Sequence, residues 1–426
     1  MCHMWWYSTF YLIDDKAYLR EFGVHPRLSE MSVDCFRSKM NFLDELTQSE
    51  TINPNLTLND VTLREGEQTS DCALSVEEKV AVARKLDEIG IKLIQGGHAL
   101  NDKEALKAYK GAGVQARIEG YVLGFLPSWK EQVDAAMDAD VDCLQTVFRT
   151  SDEHLKVLHM NRADMMTRAA DVVEYAKGRG AEFVTFSASF ASVADQSFLR
   201  DFCKSAVEAG ARRICLNDTT GVLKPSAVKH WVHDIRNYTR ASIEIHCHND
   251  FGLAVANTLA GVEAGVEVAD VSINGVGERA GNAPLEEVVM ALKCLYNIDL
   301  RIRTQDFCSL SRMFQELTKM GIAHNKAVVG KFVFAQKLDA HVIATSVAPH
   351  LIEPFHPAIV GNRRRLIMGK YTGPVSVKTK LKELGLDVAE EKIGTIAERI
   401  NQEAIRLKRG LTDEEFKEIV GESRHV

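Results

Sequence analysis

The sequence predicts an α/β protein, a TIM (β/α)8 barrel followed by a mainly helical C-terminal region. Three observations carry that expectation. Between residues 56 and 296 the chain repeats one unit, a helix closing on glycine and then a short β-rich run. Eight β-rich runs fall within about 240 residues, which suits a TIM barrel better than a doubly wound sheet. Polar residues gather where those runs end, and in a barrel the strand ends form the mouth that carries the reacting groups.

The first strand is expected at 56–60, and the helix after it opens with Ser75-x-x-Glu78, a capping-box pattern. The junctions Ile89-Gly90-Ile91, Gly111-Ala112-Gly113-Val114, Arg179-Gly180-Ala181, Ala209-Gly210-Ala211 and Ala264-Gly265-Val266 each put glycine at a helix C-terminus. Strand cores follow at 91–94, 116–121, 142–147, 182–187, 213–216, 242–246 and 268–274. Their ends carry Asp60 and Arg64, then Gln95, Arg149, Ser187 with Ser189, Asn217-Asp218-Thr219, His246 with His248, and the run from Asn274 to Asn282. Beyond the barrel, helices are expected at 306–320, 377–384 and 389–408. The chain divides into an N-terminal extension (1–50), the barrel (51–300) and helical subdomains (301–426).

Composition narrows the function. The 426 residues are 46% hydrophobic and 26% charged with a net charge of -7, so nucleic acid is not an expected partner. The basic run Arg363-Arg364-Arg365 reads as a solvated loop. Nine cysteines without a C-x-x-C pair fit reduced thiols and a cytoplasmic location. Residues 1–13 are apolar and aromatic but lack a basic n-region, and Asp14-Asp15 ends them too soon for a membrane span. The extension is expected to pack on the body or on a second subunit.

Ile243-Glu244-Ile245-His246-Cys247-His248-Asn249-Asp250 reads as a strand with two imidazoles on one face, since residues two apart share a face. That is half of a divalent-metal site. The alternative is a pair of ordinary strand-end histidines.

Three segments together resemble the signature motifs of the DRE-TIM metallolyases, within the branch of homocitrate, isopropylmalate and citramalate synthases. They are Asp60-Val61-Thr62-Leu63-Arg64-Glu65-Gly66-Glu67-Gln68, His246-Cys247-His248-Asn249-Asp250 and Asn274-Gly275-Val276-Gly277-Glu278-Arg279-Ala280-Gly281-Asn282. The resemblance continues through Asn325-Lys326-Ala327-Val328-Val329-Gly330 and Gly369-Lys370-Tyr371-Thr372-Gly373. It implies a metal held by Asp60, His246, His248 and Asn282, an oxygen and nitrogen donor set suited to Mg²⁺, Mn²⁺ or Zn²⁺. The implied reaction condenses acetyl-CoA, or a related acyl-CoA, with a metal-bound 2-oxo acid. Arg64 would stabilise the developing oxyanion. Gln68, Gln95, Arg149 and Thr219 would bind substrate, and Gly275, Gly277, Glu278, Arg279 and Gly281 would form the acyl-CoA loop. His341 falls on the family's acid-base histidine, and the segment around it implies a homodimer that exchanges C-terminal segments.

The match is uneven where protons must move. Ser189 falls on a family glutamate and Ile352 on a family tyrosine, while Lys337-Leu338-Asp339-Ala340 replaces the usual Glu-Ser-Gly-Ile before His341. Each positioned acid or base contributes about 10²- to 10⁴-fold, so other groups must substitute or the reaction differs. Tyr121, Gln95 and His154 are candidates. Gln95 replaces a glutamate, and Arg149 replaces a small residue. Arg149 would grip an additional carboxylate or phosphate, or else pair with Asp152 or Glu153. Two other functions stay open, a carbon-carbon lyase or aldolase acting on a metal-chelated hydroxy acid and a non-catalytic metal-binding partner. His341 has its own plain alternative, a helix-surface histidine. No distal regulatory domain is expected.

Overall fold

The computed structural model describes residue 35, residues 37–48 and residues 50–424. Residues 1–13 and most of the expected N-terminal extension lie outside the described residues. The chain forms two compact units, one spanning 39–321 and the other 322–424 with residues 35, 37 and 38.

In the first unit eight parallel strands close into a barrel in sequence order, with strand eight returning to strand one. The strands are β1 (Thr57–Asp60), β2 (Leu93–His98), β3 (Arg117–Val122), β4 (Cys143–Arg149), β5 (Val184–Ser189), β6 (Arg213–Asp218), β7 (Ser242–Cys247) and β8 (Val268–Val271). The longer helices that pack around the strands are α1 (Val76–Ile89), α2 (Lys103–Gly111), α3 (Trp129–Asp138), α4 (Arg162–Gly178), α5 (Gln196–Ala209), α6 (Pro225–Tyr238), α7 (Ala254–Glu263) and α8 (Leu285–Leu295), and a short helix at Asp152–Val157 precedes α4. All eight expected strands are present, so the fold read from the sequence is the fold observed. Boundaries moved for local reasons. The last strand was expected to reach Asn274 but stops at Val271, because Asn274 takes a left-handed φ of 58° inside a tight turn.

Local signals explain the helix ends. Ser75 Oγ accepts from the Glu78 amide at 3.2 Å while the Glu78 carboxylate accepts from the Ser75 amide at 2.8 Å, the reciprocal cap that opens α1. Gly90, at φ 103°, closes it.

Strand alternation builds two layers. On β7, Ile243 and Ile245 are buried, and Ile245 packs under Gly261 of α7, where an added Cβ would come within 3.0 Å of it. Glu244 and His246 face the opposite way, into the barrel. Most barrels fill this interior with branched apolar side chains. This one holds a polar network. Asn59 donates to Asp270 (3.1 Å) and Glu119 (3.3 Å), Gln145 donates to Glu244 (3.0 Å), and Arg213 donates to Glu244 (2.8 Å). Burial pushes the carboxyls of Glu119, Glu244 and Asp270 up to about 7. A layer of buried acids that are partly protonated and mutually bonded forms a rigid floor beneath the mouth.

The first unit ends with α9 (Phe307–Thr318). This helix was expected over 306–320, but Lys319 turns left-handed at φ 61° and stops it. The second unit contains the two-stranded pair β9 (Ala335–Gln336) and β10 (Arg365–Leu366), with α10 (Asp339–Val347), α11 (Pro374–Leu384), α12 (Ile393–Leu407) and α13 (Asp413–Arg424). Val377, Leu381, Ile396, Ile400 and Phe416 bury a core of their own. In the expected loop, Arg364 grips the buried Glu353 at 2.7 Å instead of being solvated alone. Among the described residues no helix is long and apolar enough to cross a membrane.

Candidate metal centre and active site

His246, inward on β7, and His248, just past its end, are both almost fully buried, and their Nε2 atoms lie 3.2 Å apart. Two ring nitrogens this close cannot both carry protons. Burial pushes His246 down to about 4 and His248 to about 3, so both imidazoles are neutral at pH 7. His246 Nδ1 lies 2.8 Å from Asp270 Oδ2. When ionised, that carboxylate favours the proton on Nδ1 and leaves the Nε2 lone pair facing the mouth.

The third member of this cluster is Glu65, which the sequence reading placed in the first motif without assigning it a role. One ligand atom each from Glu65, His246 and His248 lies within 4.8 Å of the others. After β1 the amides of Arg64, Glu65 and Gly66 all donate to Val61 O, at 3.2, 2.8 and 3.3 Å. That turn folds the Glu65 carboxylate back over the strand ends. Burial acts to raise its pKa, but the Arg64 guanidinium and the two imidazoles hold it down to about 2.

Asp60 ends β1 fully buried. Its Oδ1 accepts from the Thr62 amide at 3.0 Å and its Oδ2 has no partner, and burial lifts the group to about 7. Asn282 is also buried, with neither side-chain atom bonded. Unpaired buried polar atoms are costly, and each marks a place where something else bonds. Asn282 is held beside His248 by a bridge between the two residues and by Asn249 N donating to Gly281 O at 2.9 Å.

The glycine loop fixes this arrangement. A Cβ on Gly281 would fall 1.9 Å from Gly275 O, and one on Gly277 would meet the Asn282 amide at 3.0 Å. Thr69 stitches the loop to the first motif, donating to Gly277 O at 3.1 Å and accepting from Gly277 N at 3.0 Å. Arg279 clamps Asp250 through two bonds of 2.9 Å and donates to Thr219 O, while Glu278 gives its amide to Glu65 at 3.3 Å. A Cβ on Gly275, at φ 77°, would meet Pro284 Cγ at 2.8 Å and Asn282 O at 3.0 Å.

Arg64 is buried and held on every side. It donates to Gln95, Glu65 and Gln68, and its guanidinium lies 4.1 Å above the Tyr121 ring. Gln95 is fully engaged, donating to Glu119 at 2.9 Å and Gln145 at 2.6 Å and accepting from Arg64, while the exposed Gln68 accepts from Arg64 at 3.3 Å. Thr219 Oγ1 accepts from the Phe190 amide at 2.8 Å.

Arg149, at the end of β4, does not pair with Asp152, which instead takes Arg162 at 2.6 Å. Its guanidinium lies 4.4 Å from the Phe125 ring and 5.0 Å from Phe190, and donates to Ser189 Oγ at 3.1 Å. Among the described residues it has no ion-pair partner. His154 stacks on the same Phe190 at 3.6 Å. His341 lies in the second unit, exposed on the first turn of α10. Ile352, in the same unit, follows a short turn of helix at Pro349–Leu351.

A family model described as HMGL-like matches residues 55–314, and one for the homocitrate synthase post-HMGL domain matches 328–408. The chain belongs to the HMGL-like family. Within this family it is similar to the homocitrate synthase AksA of Methanothermobacter thermautotrophicus, at 38% identity over 86% of this chain and 93% of that one. It is also 37% identical to the 2-isopropylmalate synthase of Methanocaldococcus jannaschii, over 90% of this chain and 75% of the relative. The (R)-citramalate synthase CimA of the same organism is 38% identical over 80% and 70%. The HMGL-like barrel is shared with the solved hydroxymethylglutaryl-CoA lyase of Pseudomonas aeruginosa, with a TM-score of 0.57 and 18% identity over 66% of this chain and 97% of that one.

Proposed function

We propose that this protein is an acyl-CoA-dependent synthase that joins the methyl carbon of acetyl-CoA to the ketone of a 2-oxo acid in a Claisen-type condensation. The observation that carries this reading is the convergence of Glu65, His246 and His248 with the unbonded atoms of Asp60 and Asn282 at one barrel mouth. The relatives with substantial identity are synthases, and the likeness to a lyase is one of fold alone, so nothing favours the cleavage alternative.

The donor set fits a divalent cation such as Mg²⁺, Mn²⁺ or Zn²⁺: neutral imidazoles with their lone pairs turned in, an ionised carboxylate, and an amide and a carboxyl without partners. A cation bound there would polarise the ketone and orient a chelating 2-oxo acid. Arg64, pre-set by Gln95, Gln68 and Tyr121, stabilises the oxygen as it gains charge. The proton of the acetyl methyl is taken by His341 in a homodimer with exchanged C-terminal segments. Within the mouth, Tyr121 and His154 stand where Ser189 offers no acid-base group. The reading includes a cytoplasmic setting, which nine cysteines without a C-x-x-C pair suit. The experiment that tests the reading is free-thiol release from acetyl-CoA across a panel of 2-oxo acids. Release that depends on one acid supports condensation, and none with any acceptor excludes it.

Arg149 points to an acceptor with a second carboxylate. Burial lowers its pKa against the pull of Tyr121 and Glu278, yet it remains a cation between two aromatic rings. Arg149→Gln is expected to lower kcat/KM for 2-oxoglutarate by about 10- to 100-fold while changing that for pyruvate little, as loss of a charged hydrogen bond implies. Equal loss for both acids would remove Arg149 from acceptor selection.

Cation binding should depend on pH in one window. Glu65 and both histidines are already deprotonated well below pH 6, whereas Asp60 titrates near 7. A cation therefore displaces a proton from Asp60 below pH 7, and affinity rises between about pH 5 and 7 and levels off above. In Asp60→Asn the affinity is lower and that slope disappears, as calorimetry in two buffers of different ionisation heat would show.

A further inference from the structure

The second unit contains a cavity of about 880 Å³, a volume in the range of small-molecule sites. Lys337, Lys370 and Lys408 line it, with Phe332, Leu338 and Ile367 as apolar wall. Among the described residues no aspartate or glutamate contributes to the lining, in a chain whose net charge is -7. Arg409 at the rim is neutralised by two bonds to Glu415, at 2.7 and 2.8 Å. The carboxylate nearest in sequence, Asp339, is turned into the start of α11, where it accepts from the amides of Gly373 (3.2 Å), Val375 (2.9 Å) and Ser376 (2.9 Å).

Lys337 and Lys370 both lie against the ring of Tyr371, their ammonium nitrogens 5.7 and 5.0 Å from its centroid. Among the described residues neither has a carboxylate partner. Two like charges on one ring repel each other, and an anion with more than one charge relieves that repulsion. Tyr371 takes a φ of 80°, an uncommon conformation for an aromatic residue.

We propose that this cavity binds an adenine nucleotide bearing at least two phosphate charges, with the lysines on the phosphates and the apolar wall against the base. Two sources share that chemistry, the adenosine 3′,5′-diphosphate end of the acyl-CoA, which rests on the function proposed above, and a free adenine nucleotide. Calorimetric titration of the full chain with adenosine 3′,5′-diphosphate tests the site without requiring turnover. Saturable binding is expected, weakened at least tenfold in Lys337→Glu and in Lys370→Glu. Lys378→Glu should bind as the parent does, because Lys378 lies outside the cavity and pairs with Glu390. Absence of saturable binding to the parent protein overturns the proposal, as does equal affinity in all the variants or equal loss in Lys378→Glu. A tenfold rise in KM for acetyl-CoA with kcat retained in Lys337→Glu assigns the site to the acyl donor. An unchanged KM with nucleotide binding lost assigns it to a free nucleotide.

Discussion

Replacing His248 with alanine is expected to lower the affinity for Mg²⁺ or Mn²⁺ by more than about 100-fold, since changes to outer-shell partners alone cost about 10- to 100-fold. Turnover should fall with it to background. The fold should survive, because His248 Nδ1 has no partner and its Nε2 approaches only His246 and Glu65, at 3.2 and 3.7 Å. Far-ultraviolet circular dichroism would confirm that, and equilibrium dialysis would read the affinity. Unchanged cation binding in a folded His248→Ala protein would remove the imidazole pair from the site.

Arg64→Lys separates charge from geometry. The ammonium keeps the positive charge beside Glu65 but cannot reach Gln95, Glu65 and Gln68 together, as the planar fork does. A drop in kcat of about 10²- to 10³-fold is expected, the cost typical of losing one oriented donor to a developing oxyanion. Affinity for the cation should stay within a few-fold, because Glu65 keeps a cationic neighbour. A parallel loss of kcat and cation affinity would mean that Arg64 serves only to hold Glu65 in place.

The parts of the site that were legible in the sequence lie on strands or just past their ends. Period-two alternation put His246 and His248 on one side, and the clustering of polar residues at eight strand ends located the mouth. Glu65 was not legible by that rule. It sits in a turn, and its direction depends on three amides converging on Val61 O. The signal available was its carboxylate next to Arg64 in a buried motif. Arg149 illustrates the same limit, because Asp152 is its neighbour in sequence while Arg162, ten residues further on, claims that carboxylate in space. The polar interior was not read from the sequence, because Glu119, Glu244 and Asp270 are single acids in separate strands whose bonding follows only from closure of the barrel.

The central claim is that condensation requires a cation in the cluster of Glu65, His246 and His248. The direct measurement is 2-oxo-acid-dependent thiol release from acetyl-CoA by protein stripped of metal with a chelator, followed as Mn²⁺ is titrated back. The account predicts no release from the stripped protein and recovery that saturates near one equivalent, with Asp60→Asn silent throughout. Undiminished release by fully stripped protein would contradict it.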